Sequence, residues 1–270
     1  MGLSIAMKIN FPLLALAVGA FAIGTTEFSP MGFLPEIAND LSVSIPQAGL
    51  LISAYAVGVM IGAPLMTLWL ARFPKKTALI LLMAIFTIGN VLATVAPDYM
   101  SLMGARLITS LNHGAFFGLG SVVAASVVPK DKQASAVAMM FMGLTIANIG
   151  GVPLATWLSQ NTSWRMAFAA ISILGIMTML ALWKALPQDH DVVKPNVAKE
   201  LRVLTRAPVV LALLTTVMSA GAMFALYTYI APSLHVFMQA SPQTITLMLV
   251  LIGIGFSIGN HLGGKFADLS

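Results

Sequence analysis

Ionisable side chains inside apolar stretches are the residues of this sequence best suited to chemistry. Glu27 is the only charged residue between Phe11 and Leu34. A carboxylate at membrane depth is costly, so such residues are rare and usually face a bundle interior or a watery cavity. Glu27 therefore suits a step in which a proton is bound and released. A carboxylate at the outer end of a helix, without such a role, would leave the same pattern.

A second polar group follows in a later apolar stretch. Arg106 keeps its charge at any accessible pH, so it must face a partner or water. Ser110, His113 and Phe117 follow at i+4, i+7 and i+11, on one helical face. His113 could relay protons because imidazole titrates near neutral pH, or it could hold helices together as a satisfied polar residue. Arg106 could equally bond carbonyls near a helix end.

Aromatic and amide side chains elsewhere could line a central cavity. An aromatic wall with a few polar anchors suits amphipathic small molecules. The same residue types also serve packing and interfacial anchoring in membrane spans. The candidates are Tyr55, Asn112, Phe116, Asn148, Tyr227 and Tyr229.

Composition identifies the class of protein that must position these residues. The 270 residues are 59% hydrophobic and only 9% charged, whereas soluble domains carry about 25% charged residues. We therefore predict an all-α integral membrane protein with the lipid bilayer as its partner. No basic stripe points to nucleic acid. The absence of cysteine excludes disulfides and thiolate metal sites, and the histidines lack ligand spacing, so neither a metal nor a cofactor is predicted.

Eight apolar stretches are long enough to cross a bilayer, which takes about 20 residues. They lie at 11–34, 47–70, 77–96, 99–127, 133–158, 164–186, 207–234 and 244–267. The only long connection is polar and charged. We therefore divide the chain into a six-helix bundle at 1–186, a cytoplasmic loop at 187–206 and a partial second bundle at 207–270.

An internal repeat links the two bundles. Five residues recur at a constant offset of 197: Gly24, Pro35, Ser44, Gly58 and Gly62 match Gly221, Pro232, Ser241, Gly255 and Gly259. Spans seven and eight therefore look like a second copy of spans one and two in the same orientation. Parallel six-span halves are a known transporter plan, which would give a whole protein of about 390 residues and twelve spans. On this expectation the chain is a truncated form.

Basic residues set the expected orientation. With the amino terminus in the cytoplasm, nearly all Lys and Arg residues outside the spans fall on the inner side, and Arg165 alone falls on the outer side. We therefore predict a multi-pass protein with a cytoplasmic amino terminus.

Four stretches resemble the major facilitator superfamily, in its drug:proton antiporter branch with sugar-efflux and chloramphenicol-resistance relatives. They are 24–38 with its Thr-Thr-Glu-Phe, 106–118 in span four, 143–153 with the following Ser-Trp-Arg, and the basic loop 72–76. The resemblance implies proton-coupled export from the inner membrane of a bacterial-type cell. It further implies protons and a small-molecule substrate as partners, and a monomer at full length.

The resemblance also implies roles for single residues. Arg106 would work with the proton step. Span five, with Gly143, Gly150, Gly151 and Pro153, reads first as a packing element, since small residues let backbones approach and proline removes a helix hydrogen bond. The resemblance implies a further role for span five at the interface between the two halves. The loop residues Arg72, Lys75 and Lys76 and the later Asp268 would stabilise one conformation.

This sequence departs from the family pattern at two places. Ala71 stands where an aspartate usually precedes the basic loop residues, which weakens that charge contact. Ala147 and Asn148 stand where Gly-Pro is usual in span five.

Two functions of different classes stay open from the sequence. The first is a proton-coupled exporter of drugs or sugars that works by alternating access, with Glu27, Arg106 and His113 in the proton step. The second is a non-transporting fragment or membrane assembly partner. An intramembrane enzyme is disfavoured because metalloprotease, serine-hydrolase and phosphate-loop motifs are absent. No ring of charges or filter-like segment suggests a channel.

Overall fold

The computed structural model describes residues 10–187 and 206–267, and the side chains up to residue 259. Asp268 and all but the end residues of the predicted loop 187–206 lie outside this range. The helices are α1 Phe11–Gly32, α2 Leu34–Asp40, α3 Ile45–Leu70, α4 Lys75–Thr94, α5 Tyr99–Ser110, α6 His113–Ser126, α7 Gln133–Ile146, α8 Val152–Asn161, α9 Trp164–Ala185, α10 Ala207–Thr228, α11 Ile230–Met238 and α12 Pro242–Ala267. The described residues contain eight apolar helical stretches long enough to cross a membrane, as predicted.

Four of the predicted spans are each interrupted once, where the sequence suggested continuous helices. Span one breaks at Phe33 before Pro35, and span seven breaks at Tyr229 before Pro232. Each proline lies in the first turn of the helix that follows the break, where its missing N–H is tolerated, whereas inside a continuous helix its ring would clash with the carbonyl four residues earlier. Span four breaks at Leu111–Asn112, where the Leu111 backbone lies against Gly62 of α3.

The interruption in span five is a single π-helical turn, Ala147–Gly151. It joins α7 to α8, whose second residue is Pro153. The ring of Pro153 cannot coexist with a regular α-helical bond to the carbonyl four residues earlier. The wide turn therefore stands where the sequence predicted only a kink.

The first bundle holds most of the apolar core. α4 packs along α9, and α1 packs along α7 and α9. Large buried side chains fill the centre, among them Trp164, Phe33, Phe86, Phe116 and Phe168. This core fixes α1, α3, α5 and α6, which carry the ionisable residues of the candidate site. α10, by contrast, buries only Tyr227 and Thr228.

The start of one helix repeats at the offset of 197 seen in the sequence. α3 begins at Ile45 and α12 begins at Pro242, so their first residues differ by 197. Ser44 and Ser241 accept hydrogen bonds from the third backbone N–H of the following helix, at 3.3 and 3.2 Å. Ser42 and Gln239, also 197 apart, both have left-handed backbone with φ of 53° and 48°. The repeat is therefore present in the backbone as well as in residue types.

The second half packs on the first from the α2 end of the bundle to the middle of span five. α11 lies against α2, and α12 lies against α8 and the π-helical turn. The Thr246 hydroxyl donates to the Gln160 side-chain oxygen at 3.0 Å. The backbone of Gly253 approaches the Asn148 carbonyl so closely that a Cβ there would collide with it.

Candidate functional site

Glu27 and His113 face each other across a short gap inside the first bundle. Glu27 lies late in α1, and His113 is the first residue of α6, after the break in span four. The His113 Nε2 lies 3.9 Å from the Glu27 Oε2, and the two side chains are 15% and 16% exposed. The break in span four thus places the imidazole at the carboxylate. Both groups are shielded, but a small molecule or water can still reach them.

Arg106 is almost completely buried beside this pair. Its Nη1 donates to the Thr26 carbonyl at 2.9 Å, so it is anchored to the residue before Glu27. The guanidinium also lies 4.2 Å from the ring centre of Tyr55, a cation–π contact. Within the described residues, its Nε and Nη2 have no hydrogen-bond partner. A buried charge with two free donors favours a nearby negative group, and Glu27 is the nearest acidic side chain on the adjoining turn.

Tyr55 connects the arginine to the histidine. Its hydroxyl lies 3.1 Å from the His113 Nδ1, while its ring carries the guanidinium of Arg106. If the hydroxyl donates to Nδ1, the neutral imidazole carries its proton on Nε2, the atom that faces Glu27. Tyr55 was predicted as a cavity residue, and the structure also brings it into the charged group.

A cavity of about 180 Å³ opens beside the carboxylate. Its walls come from three helices in both halves of the chain: Glu27, Ile52, Tyr55, Ala56, Val59 and Phe224. Phe224 belongs to α10, so the cavity lies between the two bundles. It is small and mostly apolar, with one carboxylate and one phenol as polar groups.

Aromatic rings extend the wall from Phe224. Phe28 stacks on Phe224 with ring centres 5.5 Å apart and meets Tyr227 edge-on at 5.8 Å. Tyr227 meets Phe256 of α12 at 5.7 Å. In the described part of the chain, the buried Tyr227 hydroxyl has no hydrogen-bond partner. It is therefore a free polar group within an aromatic cluster.

The other predicted cavity residues lie at different places. Phe116 is fully buried in the first bundle, with its ring against Gly19 of α1. Tyr229 sits at the end where the halves meet, its hydroxyl in the space left by Gly49 of α3. Asn112 is fully buried at the break in span four, and neither end of its amide has a described partner.

Span five packs closely on α1, as its small residues predicted. A Cβ at Gly143 would collide with the Ala17 carbonyl, and one at Gly151 with the Thr25 hydroxyl. Gly150, in contrast, faces open space. Asn148 donates to the Leu144 carbonyl at 3.1 Å, and its buried Oδ1 has no described partner.

The basic loop stabilises the opposite end of the first bundle. The Lys76 Nζ donates to the Leu186 carbonyl at 2.8 Å, which ties α4 to the end of α9. The Arg72 Nε donates to the Trp69 carbonyl at 2.8 Å and its guanidinium lies over the Trp69 ring. Lys75 opens α4.

A polar contact that the sequence did not single out supports Arg106. The Thr26 hydroxyl donates to the Asn90 Oδ1 at 2.7 Å, in the buried centre of the bundle. Asn90 is the only amide residue of α4, and such a residue in an apolar span often bonds a neighbouring helix, so that signal was available.

A second unpredicted contact joins three segments at the end where the halves meet. Asp40 accepts hydrogen bonds from Arg165 and from the Trp164 Nε1, while the Arg165 Nη2 donates to the Ala96 carbonyl. The bonds from Arg165 and Trp164 hold the pKa of the Asp40 carboxyl below its ordinary value. Nearby, burial raises the pKa of Glu36 above its ordinary value. Among the described residues, no cluster of three His, Cys, Asp or Glu side chains could hold a metal ion.

Comparison with known proteins gives consistent matches over nearly the whole chain. The sequence pattern of the Major Facilitator Superfamily matches residues 16–269. The chain is 67% identical over 264 residues to the inner membrane transport protein YdhP of Escherichia coli K12, covering 98% of this chain and 68% of that protein. It is 31% identical over 261 residues to a chloramphenicol resistance protein of Streptomyces lividans, covering 95% and 67%.

A solved structure shares the fold. A bacterial homolog of the human lysosomal transporter Spinster, in an inward-facing and unoccupied conformation, superposes with a TM-score of 0.76 at 18% identity. The match covers 96% of this chain and 63% of that one. The chain thus spans about two thirds of the length of the relatives it matches.

Proposed function

Because the chain belongs to the major facilitator superfamily, we propose that it acts in proton-coupled export of small organic molecules by alternating access. The protein belongs to a family of membrane transporters, and its eight apolar helices make it a multi-pass membrane protein. The proposal adds the direction of transport, the coupling ion and the substrate class. It also places the amino terminus in the cytoplasm, as the basic residues predict.

The observation that carries the proposal is the shared cavity at Glu27. The carboxylate lines the same small space as Phe224 of the second half, and His113 lies next to it. A proton on Glu27 and a substrate in the cavity would therefore compete for one space. Two ligands that exclude each other from one site, and that bias the same two-state motion, are transported in exchange for each other.

The lining of the cavity supports an amphipathic substrate. Phe224 and aliphatic side chains supply a largely apolar wall, while Glu27 and Tyr55 supply two polar anchors. Ring contacts to Phe28 and Tyr227 extend the aromatic surface beyond Phe224. Such a combination suits drug-like or sugar-like molecules with both apolar and hydroxyl surfaces. The name of the Streptomyces relative, a chloramphenicol resistance protein, supports an amphenicol as the first test compound.

The division into bundles at 1–186 and 207–270 supports a rocking motion. The halves touch at the α2 and α11 end through the close contact at Gly49 and the bond between Thr246 and Gln160, and in the middle of span five through Gly253. In the proposed topology the α2 and α11 end is the outer end. Breaking these contacts while new ones form at the inner end would expose the cavity to the outside.

The test is efflux by the Glu27→Gln variant. We expect loss of chloramphenicol efflux driven by a pH gradient in everted membrane vesicles, because glutamine cannot take up a proton. Amounts of membrane-inserted protein should match the wild type. Glu36→Gln is the control, since it removes a carboxylate outside the cavity. Proton-driven efflux that Glu27→Gln leaves unchanged would contradict the coupling role.

A further inference from the structure

A chain of hydrogen bonds runs through the buried centre of the first bundle, from α5 across α1 to α4. Arg106 of α5 donates through Nη1 to the Thr26 carbonyl at 2.9 Å and to the Thr26 Oγ1 at 3.4 Å. The Thr26 hydroxyl donates to the Asn90 Oδ1 at 2.7 Å, and the Asn90 Nδ2 donates to the Phe86 carbonyl at 2.9 Å. Arg106, Thr26 and Asn90 are each at most 1% exposed, so bulk water does not compete for these bonds.

The hydrogen bonds of this chain all run in one direction, away from the guanidinium. Since the Asn90 Nδ2 donates to Phe86, the carbonyl oxygen is the end of the amide that faces Thr26. Thr26 gives its only hydroxyl hydrogen to Asn90, so its oxygen is left to accept from Arg106. Bonds in such a chain polarise one another inside a protein. The negative end of the Asn90 amide dipole is therefore directed at the buried charge.

The hydroxyl of Thr26 is an exception among the buried hydroxyls around it. Thr25 and Ser29 of α1 and Thr87 of α4 each donate to the carbonyl four residues earlier in their own helix. Such a bond inside the helix is the usual one for a threonine in a helix interior. Thr26 crosses to α4 instead, where Asn90 supplies the acceptor. Asn90 therefore determines where the Thr26 hydroxyl points.

The anchored guanidinium lies among the ionisable groups of the candidate site. These groups are Glu27 of α1, Tyr55 of α3 and His113 of α6, and Glu27 directly follows Thr26. Thr26 holds the Nη1 side of Arg106, so it limits how closely the other side approaches the Glu27 carboxylate. In an interior of low dielectric, the energy of a charge pair changes steeply with distance. The anchor therefore affects how readily Glu27 exchanges its proton.

We propose that Asn90 is a positioning residue for the proton step: it fixes the Thr26 hydroxyl, and through it Arg106, at a distance that lets Glu27 both take up and release a proton. Asn90 itself lines no part of the cavity beside Glu27. Without this hold, Arg106 would turn towards Glu27 and pair with it more tightly, so the carboxylate would keep its proton only at lower pH. The use of that proton in transport rests on the proposed function.

The test is a titration of Glu27 in the purified full chain, followed by infrared difference spectroscopy. Loss of the protonated carboxyl band in Glu27→Gln assigns that band, and its midpoint is the pH at which half of it is gone. We expect Asn90→Leu and Thr26→Val, which keep side-chain size, to lower the midpoint by about one pH unit, tenfold in proton affinity. Thr87→Val and Thr25→Val are the matched controls, since each removes a buried hydroxyl whose bond stays in its own helix.

Two further variants separate positioning from packing. The double variant of Asn90→Leu with Thr26→Val should shift the midpoint no more than either single variant, because both remove one bond, and additive shifts would overturn the proposal. Asn90→Asp keeps an acceptor oxygen for Thr26, so a fall as large as that in Asn90→Leu would also overturn it. If Asn90→Leu does not fold, the comparison of Thr26→Val with Thr25→Val decides the question.

The titration needs no transport, so it distinguishes this inference from the proposed function. A shifted midpoint in Asn90→Leu, in a chain whose wild type exports nothing, would support the positioning role and contradict the export. An unchanged midpoint in Asn90→Leu, in a chain that exports, would overturn the positioning role alone. Where both hold, the pH profile of efflux in everted vesicles should move with the midpoint.

Discussion

Tyr55 belongs both to the group of ionisable side chains around Arg106 and to the wall of the cavity. Its ring carries the guanidinium of Arg106, its hydroxyl meets the His113 Nδ1, and its edge lines the cavity beside Glu27. A residue in this position can orient the imidazole without contacting the proton that Glu27 would carry. We therefore interpret Tyr55 as a positioning residue for the proposed proton step.

Tyr55→Phe should separate the hydroxyl from the ring. The cation–π contact stays, while His113 loses the partner that sets its tautomer. We expect proton-driven efflux to fall about fivefold, the effect of one hydrogen bond of about 1 kcal/mol, and its pH profile to change. The measurement is efflux rate against pH in everted vesicles. Tyr229→Phe is the control because that hydroxyl lies against Gly49 instead, and an equal effect there would contradict the assignment.

The Asp40 contact predicts a pH dependence of stability. Since Arg165 and Trp164 lower the pKa of Asp40, the contact stabilises the fold above the ordinary pKa of aspartate and is lost as pH falls through the lowered value. Asp40 is about half exposed, so Asp40→Asn should cost at most about 1 kcal/mol at neutral pH. Thermal unfolding in detergent measures this. A deficit that keeps the same size as the pH falls through the acidic range would show that the charge is not responsible.

Among the elements, span five shows how packing can depend on the absence of a side chain. Gly143 lies against the backbone of α1, whereas Gly150 faces open space only seven residues later. The two glycines of span five therefore have different structural roles. The first permits a close helix crossing and the second does not.

Gly143→Ala should destabilise the first bundle, while Gly150→Ala should not. The new Cβ at position 143 would meet the Ala17 carbonyl, a backbone atom that cannot move aside, and we expect a cost of about 1–3 kcal/mol. At position 150 the change should stay within about 0.5 kcal/mol. Urea or thermal unfolding of the two variants checks the difference. Equal effects would show that α1 and α7 pack less closely at Gly143 than the structure indicates.

At the scale of the whole molecule, the two halves meet through a shared apolar cluster that reaches the α2 and α11 end. Tyr229 fills the space that Gly49 leaves in α3, and α12 approaches the π-helical turn. In the proposed cycle this end must open. The contacts are therefore expected to be weak enough to break and specific enough to re-form.

Gly49→Val should favour opening of this end, because the added side chain would displace the Tyr229 hydroxyl. The chain has no cysteine, so a single Cys in place of Val59 reports access to the cavity. We expect several-fold faster labelling of that cysteine by an impermeant maleimide from the outer side. Gly104→Val is the control, since Gly104 has no neighbour within 4 Å. Unchanged labelling in Gly49→Val would contradict a role of Tyr229 in closure.

Much of this architecture follows from patterns that a sequence displays directly. The eight apolar stretches and the offset of 197 depend on composition and spacing, and the helices reproduce both. The family resemblance rested on local motifs and is confirmed. The break at Leu111–Asn112 coincides with a contact between the Leu111 backbone and Gly62 of α3, which no local pattern predicts. Pro153 marks the place of the interruption at Ala147–Gly151, but not its π-helical form.

The candidate site was likewise predictable from the sequence only in part. Glu27, Arg106 and His113 were identified because charge is rare in an apolar span, and the structure brings them together. Phe116 and Tyr229 were chosen by residue type alone, and the structure places both away from the cavity. Which face of a helix an aromatic residue occupies depends on packing partners distant in sequence.

The π-helical turn changes how the spacing of span five should be counted. Gly143 and Gly151 are eight residues apart, yet both face α1. In a regular α-helix seven residues rotate through about 700°, which is close to two full turns. Eight residues rotate through about 800°, so the eighth side chain points about 80° away from the first. The turn absorbs the extra residue, as a one-residue insertion would. Span five therefore behaves as a seven-residue repeat that has gained one residue, so losing a residue there would disturb the contacts with α1 less than gaining another.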